Sequence, residues 1–342
     1  MVDEAVVAES LGYDVVWVAD HLADIPPITA VFDAWTMLAF IGARTKRIGL
    51  ASGVTDIQRM HPAKVASTVA TLDNLTDARA ILGIGAGEVM NVQPYGMKWE
   101  DPETRVARFR EYLEVVKLLW STSYNNPTTW RGDFYRINRG HLGLQPVRRP
   151  RPPIYVGAFA SEKMLRVAGA VADGWFPGAF YDPYHFREKV SVIRQAAKTA
   201  GRSFDKFDVM ASIPVIYKPD ARTLEKLKDN FRRSLVINKY MLKILGEDDA
   251  YRAVSKSLQY QLITPTPHNE KVLQKVVRDL PISKDSIQRG IEEMMAVGSA
   301  DRCIDTFGKF LKAGATHLHI SPFMGGRETY KQAAKMVTSH FR

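Results

Sequence analysis

The chain has 342 residues, of which 46% are hydrophobic and 25% charged, enough for a large core in one α/β barrel with insertions. The formal net charge of +10 is dispersed; its densest cluster, Arg148-Arg149 with Arg151, is broken by Pro150 and followed by Pro152-Pro153, and no nucleic-acid-binding signature accompanies it. A single cysteine, Cys303, excludes an internal disulfide and any multi-cysteine metal site, and no apolar run reaches the roughly 18 residues that span a bilayer.

Ala5 to Leu11 has a helical pattern and stops at Gly12. Val15-Val16-Trp17-Val18-Ala19 follows as a short β-branched run of buried-strand type. The next helix includes Trp35 to Ala43 and leads to a strand at Ile48 to Ser52. Pro62 opens a third helix at its first turn, with Val65, Val69 and Leu72 on one face, and its strand is Ala80 to Ile84. Arg105 to Trp120 is a fourth helix, in which Val106, Phe109, Leu113, Val116 and Trp120 recur at helical spacing. Residues 122–153 are polar and contain Gly and Pro, an insertion with a short hairpin around Phe134 to Ile137. The rhythm resumes with strand Ile154 to Val156, helix Glu162 to Val171, strand Gly174 to Phe176, a helix from His185 to Ala200 and strand Val209 to Tyr217. Residues 219–297 are mainly helical and read as a second insertion. Helix Asp301 to Ala313, Gly314, strand His317 to Ser321 and a helix from Glu328 end the chain.

Helices alternating with short buried strands imply a parallel sheet covered by helices. Seven strands are legible, and eight close a barrel. The expectation is therefore an α/β fold: one (β/α)8 TIM barrel over residues 1–342, with its first strand missing because the chain opens directly on a helix. A gene start cut after that strand is the plainest reading. An open, doubly wound sheet is the competing fold. Met1-Val2-Asp3-Glu4 has no basic segment followed by an apolar one, so no signal peptide is read and a cytoplasmic location is expected.

In a parallel barrel the chemistry sits in loops after the C-terminal ends of the strands. Polar and glycine residues gather at those ends: Asp20-His21, then Ser52-Gly53-Val54-Thr55, then Gly85-Ala86-Gly87-Glu88 with Asn91, then Gly157-Ala158 before a helix start at Ser161. Glycines let backbone approach a flat ligand closely. Glu88 is either a proton donor or holder of a ring N–H, or a helix cap. His21 is either a general acid or base, or structural. Thr55 is a cofactor contact or a loop hydroxyl, and the Gly157 to Ser161 start is a phosphate site or an ordinary cap. Gly83-Ile84-Gly85-Ala86-Gly87-Glu88 is not the dinucleotide fingerprint, which needs glycine where Glu88 stands. No metal centre is expected: the eight histidines are scattered, and His317 and His319 lack further ligands at useful spacing. Cys303, at helical spacing from Phe307, Phe310 and Leu311, reads as a core side chain.

Four segments together resemble the luciferase-like superfamily, in particular its branch that uses coenzyme F420, an 8-hydroxy-5-deazaflavin. They are Leu11 to Leu22, Ser52 to Ala63, Arg79 to Glu88 and Ala172 to Pro177, with Asn91 to Gly96 in support. The likeness runs along nearly the whole chain except 219–297 and is greatest to methylenetetrahydromethanopterin reductases and phthiodiolone ketoreductases. It implies cofactor contacts at Asp20, Thr55 and Asn91, Glu88 beside the deazaflavin ring, and His21 at the position of a catalytic histidine. It further implies a bulge with a non-proline cis peptide at Ser52–Gly53 or one bond later, and a cofactor-phosphate loop at Gly157, Ala158, Phe159 and Ala160. The dehydrogenases of this branch carry a tryptophan four residues beyond the histidine, where this chain has Ile25, which favours a reductase. The resulting expectation is hydride transfer between reduced deazaflavin and an electron-poor carbon of a small substrate, with Glu88 and His21 facing one pocket on either side of the ring. An FMN-dependent monooxygenase and a non-catalytic flavin-binding barrel are the alternatives. A homodimer without nucleic-acid or membrane partners is the expected assembly.

Overall fold

Side-chain caps decide where the helices begin. Asp33, Asp101, Asp182, Asp220, Ser283 and Ser299 each accept a hydrogen bond from a first-turn N–H that would otherwise lack an intrahelical partner. Proline follows the cap at Pro62, Pro102 and Pro183, where its missing N–H costs nothing. The helices expected from Arg105 and His185 therefore start three and two residues earlier than their apolar periodicity suggests. Gly12, at φ 83°, takes the left-handed conformation that ends the first helix.

A computed structural model describes residues 1–24, 30–178, 180–257, 266–321 and 326–341. Its contacts divide into two compact units, the first holding residues up to 158 and 163–174, the second 159–162 and 175 onward.

The first unit contains α1 (Val2–Ser10), β1 (Val15–Val18), α2 (Ala34–Arg44), β2 (Gly49–Ser52), β3 (Thr55–Asp56), α3 (Pro62–Leu75), β4 (Ala80–Gly85), α4 (Pro102–Leu119), hairpin strands β5 (Thr128–Arg131) and β6 (Arg136–Gly140), β7 (Ile154–Gly157) and α5 (Glu162–Val171). Its sheet runs β1-β2-β4-β7, all parallel, with β3 also on β4. All six residues of β4 are buried, as expected of a parallel strand covered on both faces. Leu38, Ile41, Val65, Val69, Phe109, Leu113 and Val116 turn the apolar faces of α2, α3 and α4 inward. Burying each such side chain stabilises the unit by about 1.5–3 kcal/mol. Arg79 closes the other end of the strands, donating to the carbonyls of Gly42, Thr45, Ile48 and Thr76 and to the Thr45 hydroxyl. The 122–153 segment is anchored through Glu111 of α4, whose carboxylate accepts from the Trp130 indole and the Asp133, Phe134 and Tyr135 N–H groups.

The edge facing β4 breaks between β2 and β3. Leu50 pairs with Ala80 and Thr55 with Ile84, so one residue is extra between the two stretches, a bulge. The Ser52 hydroxyl bridges the gap by donating to the Gly83 carbonyl (2.8 Å) and accepting from its N–H (3.2 Å). A Cβ on Gly83 would stand 1.9 Å from the Ser52 carbonyl oxygen, so only glycine fits opposite the bulge. The peptide bond Gly53–Val54 is cis, the second of the two positions the resemblance implied.

The second unit contains β8 (Gly174–Phe176), α6 (Pro183–Thr199), β9 (Asp208–Tyr217), α7 (Ala221–Ile237), α8 (Tyr240–Ile244), α9 (Asp248–Ser257), α10 (Pro267–Arg278), α11 (Lys284–Met294), β10 (Ala296–Gly298), α12 (Ala300–Lys312), β11 (His317–Ser321) and α13 (Arg327–His340). The long strand β9 pairs in parallel with β11 along its first half and with β10 along its last three residues. All seven expected strands are present. The sequence reading missed β3 and β10; the latter ends the stretch read as a helical insertion. Cys303 is fully buried in α12, and burial pushes its thiol up to about 11, as a core residue requires.

Candidate active site

The polar loops of the first unit meet beyond the C-terminal ends of β1, β2, β3 and β4. Asp20 and His21 follow β1, Ser52 to Thr55 form the bulge, and Gly85 to Glu88 with Asn91 follow β4. The loops are stitched together by Asn91, which is buried. Its Oδ1 accepts from the N–H groups of Leu22 (2.7 Å) and Ala23 (3.1 Å), and its Nδ2 donates to Glu88 Oε2 at 3.4 Å.

His21 lies between two carboxylates. Its Nε2 is 3.4 Å from Glu88 Oε2 and its Nδ1 is 3.4 Å from Asp24 Oδ2, ion-pair separations rather than close hydrogen bonds. Burial works against the imidazolium, but Asp24 and Glu88 together outweigh it and Arg59 opposes them only in part, so the pKa is raised above its ordinary value. Glu88 itself is about half exposed and caps no helix through its side chain. His21 and Glu88 thus face one another directly, from the loops after β1 and β4.

Asp20 is almost fully buried and is gripped by Arg59. The Arg59 Nη2 donates to the Asp20 carbonyl (2.5 Å) and to Asp20 Oδ2 (3.0 Å), while Nε donates to Asp56 Oδ2 (2.5 Å). Asp56 Oδ1 accepts from the N–H groups of Gln58 and Arg59, which shapes the turn after β3. Burial disfavours the guanidinium charge, but Asp56 and Asp20 more than compensate, and its pKa is raised.

The Val54 side chain lies over Gly85 and Gly157, where added Cβ atoms would meet it at 3.2 and 2.7 Å, so both positions need glycine to admit Val54. Gly87 is needed for its φ of 96°. Ala86 is part-exposed between them. Of the phosphate-loop residues, Gly157 ends β7 and Ala158 follows it in the first unit, while Phe159 and Ala160 belong to the second, where the Phe159 carbonyl accepts from Tyr181 (2.5 Å). Ile25 lies outside the described residues.

Asp24, Asp56 and Arg59 were not singled out from the sequence. The signal was present as two i, i+3 pairs, His21 with Asp24 and Asp56 with Arg59. Elsewhere, the Asp182–His185 pair (2.6 Å) is a helix cap, Asp182 also accepting from the His185 N–H. His319, part-buried on β11 beside Ser212, is driven down to about 4 by desolvation and stays neutral. No cluster of three metal-ligating side chains occurs among the described residues, and no helix among them is long and apolar enough to cross a membrane.

A polar ring cofactor fits the donor set of the first unit. The Thr55 hydroxyl is fully buried without a hydrogen-bond partner, an arrangement costing about 1–3 kcal/mol until something supplies one. Asp20 Oδ1 makes no hydrogen bond among the described residues while Oδ2 is held by Arg59.

Residues 1–317 match the family model of the luciferase-like monooxygenases, and the chain belongs to that family. A phthiodiolone/phenolphthiodiolone dimycocerosates ketoreductase from Mycobacterium sp. (strain JLS) is 35% identical over 222 residues, 59% of this chain and 56% of the relative, so the match spans little more than half of that enzyme's length. An F420-dependent glucose-6-phosphate dehydrogenase from Microbacterium testaceum (strain StLB037) is 31% identical over 232 residues, 67% of each chain. Among solved structures, the coenzyme F420-dependent tetrahydromethanopterin reductase of Methanopyrus kandleri superposes with a TM-score of 0.78 at 22% identity, covering all of this chain and 95% of that one. A riboflavin lyase solved with modified FMN gives 0.71 at 17% identity over 99% and 83%. At these identities the structural likeness speaks for the fold, which is of the luciferase-like (β/α)8 class.

Proposed function

We propose that this chain is an oxidoreductase that uses coenzyme F420 to move a hydride to or from a carbonyl-type carbon of a small substrate. The observation that carries the reading is His21 held between Asp24 and Glu88. Adding hydride to a carbonyl leaves an alkoxide oxygen that needs a proton, and a histidine whose charged form is stabilised is suited to give it. An iminium-type substrate would need no such donor. Two relatives, named a ketoreductase and an F420-dependent dehydrogenase, agree with carbonyl–alcohol chemistry.

Bound coenzyme F420 would supply the hydride acceptor or donor carbon. The chain's own residues then divide the remaining work. Thr55 and the free oxygen of Asp20 would accept or donate at the ring edge, Asn91 fixes the two loops, and Val54 backs the bulge. Gly157 to Ser161 would hold the cofactor phosphate on the N–H groups leading into α5. His21 would pass a proton at the substrate oxygen, with Glu88 as its exchange partner.

The test is direct. The purified protein is offered oxidised coenzyme F420 and, separately, FMN, and retention through gel filtration is read from the absorbance of each. Single turnover with reduced F420 and a ketone panel follows. Glu88→Gln and His21→Gln should each slow the oxidation of the reduced cofactor by about 10²–10⁴-fold, the usual contribution of a placed proton donor. Retention of FMN alone, with one oxygen atom of O2 appearing in an oxidised substrate when the flavin is reduced, would establish a monooxygenase instead.

A further inference from the structure

Among the described residues, Arg59 is the cation that reaches Asp20 and Asp56 beside the site, and no proton or hydride step uses it. It joins two loops that are distant in sequence: Asp20 and His21 after β1, and the Asp56 turn after β3. Its side chain is 11% exposed, between carboxylates exposed by 5% and 7%. A surface ion pair of that kind would contribute little. Buried and forked, it fixes geometry, because one planar group answers three oxygens at once.

The three oxygens have distinct consequences. The bond to the Asp20 carbonyl sets the backbone from which His21 projects. The bond to Asp20 Oδ2 leaves Oδ1, which makes no hydrogen bond among the described residues, as the oxygen to meet a ligand. The bond to Asp56 ties both to a turn that is itself closed by Asp56 Oδ1. The charged groups facing His21 are Asp24 of its own loop, Glu88 after β4 and Arg59 after β3. Replacing Arg59 by a neutral side chain removes the only positive neighbour in that set.

We propose that Arg59 is the positioning residue of this site: its guanidinium, clamped between Asp56 and Asp20, fixes the end of β1 so that Asp20 and His21 present a constant geometry and field to the ligand. It touches neither substrate nor cofactor in this assignment. The proposal rests on the functional reading above for the identity of the ligand, but not for its electrostatic half.

The experiment uses the full chain as wild type, Arg59→Met, Arg59→Lys and Asp56→Asn. Histidine ring resonances are titrated by NMR between pH 5 and 9, with His21 assigned from the peak missing in His21→Gln. Affinity for oxidised coenzyme F420 is measured by fluorescence, and circular dichroism confirms folding. In Arg59→Met the His21 titration should move upward, and F420 affinity should weaken about tenfold or more. Arg59→Lys should keep the titration near wild type, because the charge remains, yet bind F420 more weakly, because the fork is lost. Asp56→Asn, which loosens the Nε grip at unchanged cation charge, serves if Arg59→Met does not fold, and should also weaken F420 binding. A misplacement of about 1 Å can cost about 100-fold in turnover, so such losses are measurable. An unmoved His21 titration in folded Arg59→Met, or wild-type affinity in both Arg59→Lys and Asp56→Asn, overturns the proposal. The titration needs no cofactor. If wild type binds no F420, the functional reading fails while the His21 titration still decides the role of Arg59.

Discussion

Replacing Asn91 by alanine should destabilise the first unit by about 2–4 kcal/mol. The side chain is 1% exposed, and its oxygen is the acceptor for the N–H groups of Leu22 and Ala23. Each buried donor left unsatisfied costs about 1–3 kcal/mol. Both N–H groups are only part-buried, so water recovers some of this and the lower half of the range applies to each. Asn91→Asp is the sharper comparison. It keeps the acceptor and should lose about 1 kcal/mol or less, but it replaces the donor toward Glu88 by a like charge at the 3.4 Å position. That added negative charge beside Glu88 should raise the His21 titration further. Urea unfolding followed by tryptophan fluorescence measures both variants, with the midpoint shift at unchanged slope giving the stability difference. If Asn91→Ala unfolds within about 0.5 kcal/mol of wild type, or Asn91→Asp is as damaging as Asn91→Ala, the two N–H bonds do not hold these loops.

The raised His21 pKa carries a stability signature. The folded chain holds that proton more tightly than the unfolded chain, so the stabilisation is full below about pH 6.5, the ordinary histidine value, and is lost as pH rises through the higher folded value. Wild type should therefore lose more stability than His21→Gln between pH 6 and pH 9; parallel unfolding curves would contradict the charge arrangement. Gly83→Ala should abolish or sharply lower soluble folded protein, because its Cβ would sit 1.9 Å from the Ser52 carbonyl; a melting temperature near wild type would show that the bulge yields easily. Ala158→Asp should weaken F420 binding by repelling the phosphate while leaving circular dichroism unchanged, and unaltered affinity would place the phosphate elsewhere.

The sequence alone determined the architecture, because the physics that carries it is local. Apolar period and flanking Gly and Pro located all seven counted strands, and Gly12 took the left-handed conformation its position implied. Helix starts were legible too late, since the signals at Asp101-Pro102 and Asp182-Pro183 lie in capping chemistry rather than in apolar spacing. Strand β10 was missed because three residues carry too little period to separate a strand from the end of a helix. The loop positions of Asp20, His21, Glu88 and Asn91 were also readable, since chemistry in a parallel barrel gathers at the strand ends. What only the tertiary structure decided is which of these side chains meet. Arg59 reaches Asp20 across 39 positions, and Asn91 reaches Leu22 across 69. Val54 packs into the space left by Gly85 and Gly157. Those contacts depend on how strands distant in the chain lie side by side, and no local pattern of residues encodes that distance.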